Sequence, residues 1–202
     1  MIRIKMNRLI KIRIVTGIVL LLASALTWLG CIEVTNYPPT PETLHTGQYR
    51  LNTAVTAPDS LIVASYNIYL SEDIDLAIAD LRGNPQLAGA DLLLLQEMDP
   101  DGADRIARAF QMDFVYWPSF KFASTGRLFG NAILSRWPIT GQQAVAIPHG
   151  NPIIGIRRVV VAADIQIANH NLRVVNMHLS TVSVPLADRL EQATVALDSL
   201  TA

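Results

Sequence analysis

The stretch DLLLLQEMDP, residues 91–100, carries the strongest structural signal in the chain. Its four consecutive leucines do not alternate with polar residues, which is typical of a strand buried on both faces of its sheet. Such a strand needs a covering layer on each side, so the run predicts a layered α/β fold. We expect the strand over residues 90–98, with Gln96 and Glu97 where it leaves the core.

The flanking sequence alternates between apolar, β-branched runs and helical stripes, which predicts two βα units followed by further strands and a helix. The predicted strands cover residues 61–70, 90–98, 113–118, 130–139, 157–168 and 171–180, and the predicted helices cover 72–83, 100–111 and 185–202. The last two strands are expected to form a hairpin, because Asn169, His170 and Asn171 tolerate turn geometry.

Residues 1–30 have the layout of a secretory signal or membrane anchor. Five basic residues precede a largely apolar run over residues 14–29: Arg3, Lys5, Arg8, Lys11 and Arg13. A basic segment followed by an apolar segment is typical of export signals, so we set it apart from the fold. The sequence thus predicts an exported protein that associates with the membrane or the cell envelope.

Cys31, the only cysteine, directly follows this segment in the context WLGC. The arrangement resembles the lipobox of bacterial lipoproteins, although Trp28 stands where a leucine-like residue is usual. Three outcomes are open: lipidation at Cys31, retention of the apolar run as a membrane helix, or ordinary cleavage. Each places the remaining chain outside the cytoplasm.

Without residues 1–30 the chain is acidic. Removing their five basic residues leaves 11 Lys and Arg against 17 Asp and Glu, a net charge of 11 − 17 = −6. Nonspecific nucleic-acid binding needs a broad basic surface. The charge therefore disfavours nucleic acid as a partner, although it leaves room for a small basic patch.

Residues 31–60 contain four prolines and six threonines. This composition is typical of a tether, so we predict an irregular lead-in without packed structure. The domain proper is expected over residues 61–202.

Polar side chains stand at the ends of four predicted strands: Asn67, Glu97, Asn131 with Ser135, and Asn176 with His178. Strand ends are where functional groups leave the core of an α/β sheet. Each residue alone is more typical of capping or of a structural role than of catalysis, and their combination and order carry the functional signal.

The ordered series S-Y-N, L-L-L-Q-E, G-N-A-I-L-S-R, V-N-M-H-L-S and R-x-x-Q resembles the endonuclease/exonuclease/phosphatase superfamily, which includes DNase I-like nucleases and neutral sphingomyelinases. The resemblance implies a metal-dependent phosphoesterase. It implies that Glu97 binds the metal, that Asn67 helps to hold metal or phosphate, and that His178 faces the scissile phosphate.

The same resemblance places Asn176 with His178 in the catalytic motif, mainly as a supporting residue. It assigns Asn131 to substrate binding, and it gives Arg189 and Gln192 structural roles.

Phosphoester hydrolysis independently favours this set of side chains. Charge develops on phosphate oxygens during the reaction, and a hard cation such as Mg²⁺, or Mn²⁺ in its place, stabilises that charge. Mg²⁺ prefers oxygen ligands and keeps several waters, so one carboxylate with an amide oxygen suffices. A histidine can donate a hydrogen bond or a proton to the departing oxygen.

The family's later motifs, G-D-x-N and S-D-H-x-P, have no counterpart in the sequence. The expected fold is therefore a layered α/β sandwich of the DNase I-like type, truncated after its first half. Three interpretations remain open: a truncated exported phosphoesterase, a noncatalytic remnant that acts as a binding module, and an unrelated α/β domain with ordinary strand caps.

Overall fold

The computed structural model describes residues 33–51, 59–180 and 184–201. In this part of the chain, two β-sheets pack face to face and helices cover their outer faces. The resulting order of layers is helix, sheet, sheet, helix.

The first sheet, sheet A, contains β1 (Val34–Asn36), β2 (His45–Gly47), β3 (Val63–Asn67), β4 (Leu92–Met98), β5 (Asp113–Phe122) and β6 (Leu128–Ser135). The strand order is β1-β5-β6-β4-β3, and β2 also pairs with β5. The strands β3 and β4 are parallel, and helix α1 (Ile74–Gly83) lies between them in the chain. The other described pairings in this sheet are antiparallel.

The leucine run forms β4 and is buried on both faces, as the sequence predicts. Leu93 and Leu95 pack against α1 and helix α2 (Pro100–Phe110). Leu92 packs on the opposite face, against the second sheet. This burial accounts for the absence of polar residues in the run before Gln96.

The second sheet, sheet B, contains β7 (Ile139–Ala146), β8 (Val159–Ile167) and β9 (His170–Asn176), in that order and antiparallel. Helix α3 (Leu186–Thr201) covers its outer face through Ala196 and Leu200. The predicted hairpin between the last two strands is confirmed, with Ile167 opposite His170.

Each of the first two helices begins at an aspartate. The Asp73 carboxylate accepts the Leu76 N–H and begins α1, and the Asp99 carboxylate accepts the Gly102 N–H and begins α2. Pro100 occupies the first turn of α2, where a missing N–H costs nothing. These caps hold the loops after β3 and β4 in place, and those loops carry the candidate site.

The prediction that the lead-in lacks packed structure is wrong for β1 and β2. Val34 pairs with Phe122, and His45 pairs with Tyr116, so both short strands extend sheet A along β5. Three-residue strands are too short to show a hydrophobic period, and the exposed edge of β5 determines their pairing.

The predicted signal or anchor at residues 1–30 and Cys31 lies outside the described residues. Within the described ranges, no helix combines the length and apolar character that a membrane span requires.

Candidate active site

Three residues predicted from strand ends lie together at one edge of the sandwich. Asn67 ends β3, Glu97 lies near the end of β4, and His178 follows β9 by two residues. Asn67 donates from Nδ2 to Glu97 Oε1 at 3.1 Å, and His178 Nε2 lies 3.8 Å from the same oxygen. The fold therefore joins groups from both sheets into one polar cluster.

The Glu97 backbone adopts a left-handed conformation, with φ of 60°, at a bulge in β4. The register shifts there, because Gln96 pairs with Asn131 and Met98 pairs with Gly130. A bulge re-aims a side chain relative to the regular pleat, and a non-glycine residue with positive φ is strained. The strain is offset by two contacts: Leu70 N–H donates to Glu97 Oε2 at 3.2 Å, and the Ser71 hydroxyl donates to the Glu97 carbonyl at 3.4 Å.

Those contacts come from a left-handed turn that follows β3. Tyr69, Leu70 and Ser71 have φ values of 45°, 59° and 52°. At the start of the turn, the Tyr69 N–H donates to Asn67 Oδ1. At its end, Ser71 Oγ accepts the Asp99 N–H, which ties the turn to the start of α2. The Asn67 amide thus links the turn to Glu97, and the Glu97 carboxylate is held before any ligand binds.

Arg127 stabilises the same turn from the loop between β5 and β6. Its Nη2 donates to the Ser71 carbonyl at 2.7 Å and to Asp99 Oδ2 at 3.0 Å. One guanidinium therefore joins the turn after β3 to the capping residue of α2.

Arg158 is a residue of this site that the motifs did not identify. Its Nη1 lies 3.3 Å from His178 Nδ1, and its guanidinium lies 5.1 Å from the centre of the Phe129 ring. The side chain is largely buried, and this burial lowers its pKa while nearby Glu97 opposes that effect. The sequence signal was a basic pair, Arg157 and Arg158, directly before the apolar strand β8.

His178 is neutral at neutral pH in this environment. The pKa of His178 is lowered to about 4, because burial and then the charge of Arg158 lower it by more than Glu97 raises it. Because a guanidinium can only donate, Nδ1 is the acceptor from Arg158, and the proton of the neutral ring resides on Nε2. The ring therefore directs an N–H donor toward the side of the site that holds Glu97.

A hydrated divalent cation fits these groups. The described residues contain no cluster of three or more His, Cys, Asp or Glu side chains close enough to hold a metal ion. Mg²⁺ needs few protein ligands because it retains waters. Glu97 offers a carboxylate whose side chain is 18% exposed, with the Asn67 amide beside it.

With its amide in this orientation, Asn67 positions Glu97. A direct contact from Asn67 to the metal stays a prediction.

Asn176 holds the two sheets together. Its side chain is buried, and Nδ2 donates to the carbonyls of Leu95 and Ala132 at 2.9 and 2.8 Å. Its Oδ1 accepts from Gln96 Nε2 at 2.7 Å. The geometry gives Asn176 the supporting position, behind the Glu97 bulge, in place of a catalytic one.

Asn131 is buried as well, with 2% of its surface exposed. Its Nδ2 donates to the Val159 carbonyl at 2.6 Å, which joins β6 to β8 across the sandwich. This position gives Asn131 a structural role, and the predicted contact with substrate stays a prediction. A polar residue on an inner sheet face must satisfy its hydrogen bonds inside the protein, and sequence alone does not reveal which face it occupies.

Gln192 has the structural role that its motif implies. It is fully buried, donates from Nε2 to the carbonyls of Pro148 and His149, and accepts the Ser180 N–H at 3.1 Å. Helix α3 thereby fixes the segment that follows His178.

A sequence profile of the Endonuclease/Exonuclease/phosphatase family matches residues 64–200. The chain belongs to this family, and its mixed α/β sandwich is of the DNase I-like type. No curated protein matches the sequence significantly.

Solved structures share the fold. An endonuclease/exonuclease/phosphatase from Beutenbergia cavernae DSM 12333 gives a TM-score of 0.53 at 21% identity, covering 67% of this chain and 43% of that chain. Sphingomyelinase C from Streptomyces griseocarneus gives 0.52 at 19% identity, covering 72% and 61%. A humanized D. rerio TDP2 gives 0.52 at 19% identity, covering 70% and 56%. This chain thus spans between 43% and 61% of the length of these three structures.

Proposed function

We propose that this protein hydrolyses a phosphoester with the help of a divalent cation, Mg²⁺ or Mn²⁺. The observation that carries the proposal is the convergence of Glu97, His178 and Arg158 at the strand ends of both sheets. Family membership supports hydrolysis of phosphoesters as the class of reaction. A cation at Glu97 would supply positive charge for the phosphate oxygens.

Each residue has a distinct part in this scheme. Glu97 holds the cation, and Asn67 together with the Leu70 N–H keeps the carboxylate in place. Arg158 contributes a permanent positive charge next to His178, which favours an anionic substrate. The neutral His178 ring donates a hydrogen bond from Nε2 to a phosphate oxygen as charge develops on it. During hydrolysis, water adds to phosphorus, the bond to the ester oxygen breaks, and that oxygen gains a proton.

Replacing Glu97 with Gln tests the proposal. Glu97→Gln keeps the size of the side chain and removes its charge, so the affinity for Mn²⁺ should fall at least tenfold, with any Mg²⁺-dependent hydrolysis of bis(p-nitrophenyl) phosphate falling about 10³-fold or more. Titration with Mn²⁺ and a hydrolysis assay measure the two effects. Glu191→Gln, which alters an exposed carboxylate on α3, is the matched control. Equal Mn²⁺ affinity in wild type and Glu97→Gln would contradict the assignment.

The alternative function is a noncatalytic binding module. Cation and phosphate binding without turnover in the full chain would favour it.

We also propose that the protein is exported and located at the membrane or cell envelope, which the basic and apolar residues 1–30 support. Nucleic acid stays a disfavoured partner, because the chain without residues 1–30 carries a net charge of −6 (11 − 17).

A further inference from the structure

A small apolar pocket adjoins the candidate active site. Its apolar walls are Leu70, Phe122, Leu128 and Phe129, and its volume is about 90 Å³. Glu72, Thr125 and Arg127 also line it. Neither the family motifs nor the proposed reaction uses this pocket.

Two residues belong to both the pocket and the site. The backbone N–H of Leu70 donates to Glu97, while the Leu70 side chain lines the pocket. The Phe129 ring centre lies 6.1 Å from that of His178, and the Arg158 guanidinium lies over the same ring. The pocket therefore shares residues with the group of side chains to which the proposed function assigns the phosphate.

The pocket walls are rigid because their aromatic rings pack on one another. Phe129 stacks on Phe120 with ring centres 4.5 Å apart, and Phe122 meets Phe120 edge-on at 4.9 Å. A pocket that is already formed binds an apolar group without first paying the cost of ordering its walls.

The charges at the pocket favour a neutral occupant. The Arg127 guanidinium already donates to Asp99 and to the Ser71 carbonyl, so its positive charge is compensated. The Glu72 carboxylate lines the same pocket and repels a second anionic group. Size adds a further limit, since an engineered apolar cavity of about 150 Å³ encloses benzene completely. This pocket of about 90 Å³ is open on one side, so it receives the edge of a single ring or a short alkyl segment and no larger group.

We propose that this pocket selects phosphoesters in which one ester group is neutral and apolar, such as a single aromatic ring or a short alkyl segment. The inference rests on the proposed function, because it assumes that phosphate binds at Glu97, His178 and Arg158. The pocket thus accepts phosphoesters with a small apolar ester group, and it excludes esters with a second anionic group at this position.

The test compares binding of phenyl phosphate and methyl phosphate to the full chain in the presence of Mg²⁺, measured by calorimetric titration. The two probes carry the same phosphate group and differ in the ester group. Wild type should bind phenyl phosphate about tenfold more tightly, because only the ring reaches the pocket.

Two variants in one turn locate the effect. Thr125→Trp places a large side chain at the pocket and should reduce the preference to within twofold while methyl phosphate still binds. Ser124→Trp adds the same side chain at an exposed neighbouring position that does not line the pocket, and it should keep the preference. Leu128→Ala removes one apolar wall and should weaken phenyl phosphate alone.

Each outcome separates the two proposals. Equal affinity of wild type for both probes would overturn the pocket assignment and leave the phosphate site standing. Failure of both probes to bind would overturn the phosphate site and the pocket with it. A preference that survives Thr125→Trp, or disappears equally in Ser124→Trp, would also overturn the assignment.

Discussion

His178 combines burial with a cationic neighbour, and both disfavour its charged form. The pKa of about 4 in the folded protein lies below the value of about 6.5 that an unfolded histidine has. Between these two values the unfolded state binds more protons than the folded state. The stability that this residue contributes is therefore present above about pH 6.5 and is lost as the pH falls toward 4.

This difference predicts an acid-sensitive stability that His178 controls. In the presence of a chelator, the free energy of unfolding of wild type should fall by on the order of 2 kcal/mol between pH 6.5 and pH 4 on account of this residue, allowing for solvent contact at the ring edge. His178→Gln should remove that part of the pH dependence, as measured by urea unfolding at several pH values.

His170→Gln serves as the control, because His170 is exposed at the β8–β9 turn. Identical pH dependence in wild type and His178→Gln would show that His178 is not neutral in the folded protein.

Asp113, at the start of β5, anchors the segment after β2. Its Oδ1 accepts the backbone N–H groups of Tyr49 and Arg50 at 3.0 and 3.1 Å, and its Oδ2 accepts Arg50 Nε at 2.8 Å. The carboxylate is buried, with 6% of the side chain exposed. Tyr49 continues this attachment by donating from its hydroxyl to Asp104 on α2. The element that composition assigned to a tether is thereby part of the fold.

Replacing the Asp113 carboxylate should release that element. Asp113→Asn should lower the free energy of unfolding by about 2–3 kcal/mol, because a charged acceptor of three hydrogen bonds becomes neutral in a buried position. Urea unfolding gives the change, and amide exchange at Tyr49 and Arg50 should show lost protection.

Asp75→Asn is the matched control, since the Asp75–Arg105 pair lies on the surface, where such a pair contributes about 0–1 kcal/mol. Equal losses in the two variants would contradict an anchoring role for Asp113.

At the scale of the whole molecule, the proposed export depends on residues 1–30 and Cys31. If Cys31 is lipidated, Cys31→Ser should keep the full precursor mass and lose incorporation of labelled palmitate, because no other cysteine can accept the lipid. Mass spectrometry and cell fractionation measure these effects. A retained helix would give the same mass and the same membrane fraction in both proteins. Wild type found in the soluble cytoplasmic fraction would contradict every form of the export proposal.

The sequence by itself determined the strands and helices with long, uniform patterns. The leucine run of β4, the amphipathic α2 with its Asp99 and Pro100 start, and the β8–β9 hairpin lie where periodicity and turn residues predict them. The sequence did not predict β7. This strand lies at the edge of sheet B, and the polar residues Gln142 and Gln143 interrupt its apolar residues. Local patterns suffice where each residue's environment repeats along the element, and they fail at edges.

Ordered motifs also selected Asn67, Glu97 and His178 as candidates, and the fold brings these three residues together. Only the tertiary structure decided which other polar residues share their site. Asn176 ends β9 and Asn131 lies within β6, and both side chains face inward and join the sheets. Arg158, the residue directly before β8, contacts His178. The left-handed turn at Leu70 holds the Glu97 carboxylate. The reason is physical: whether a polar group faces solvent, a partner or the opposite sheet depends on register and on layers contributed by distant parts of the chain.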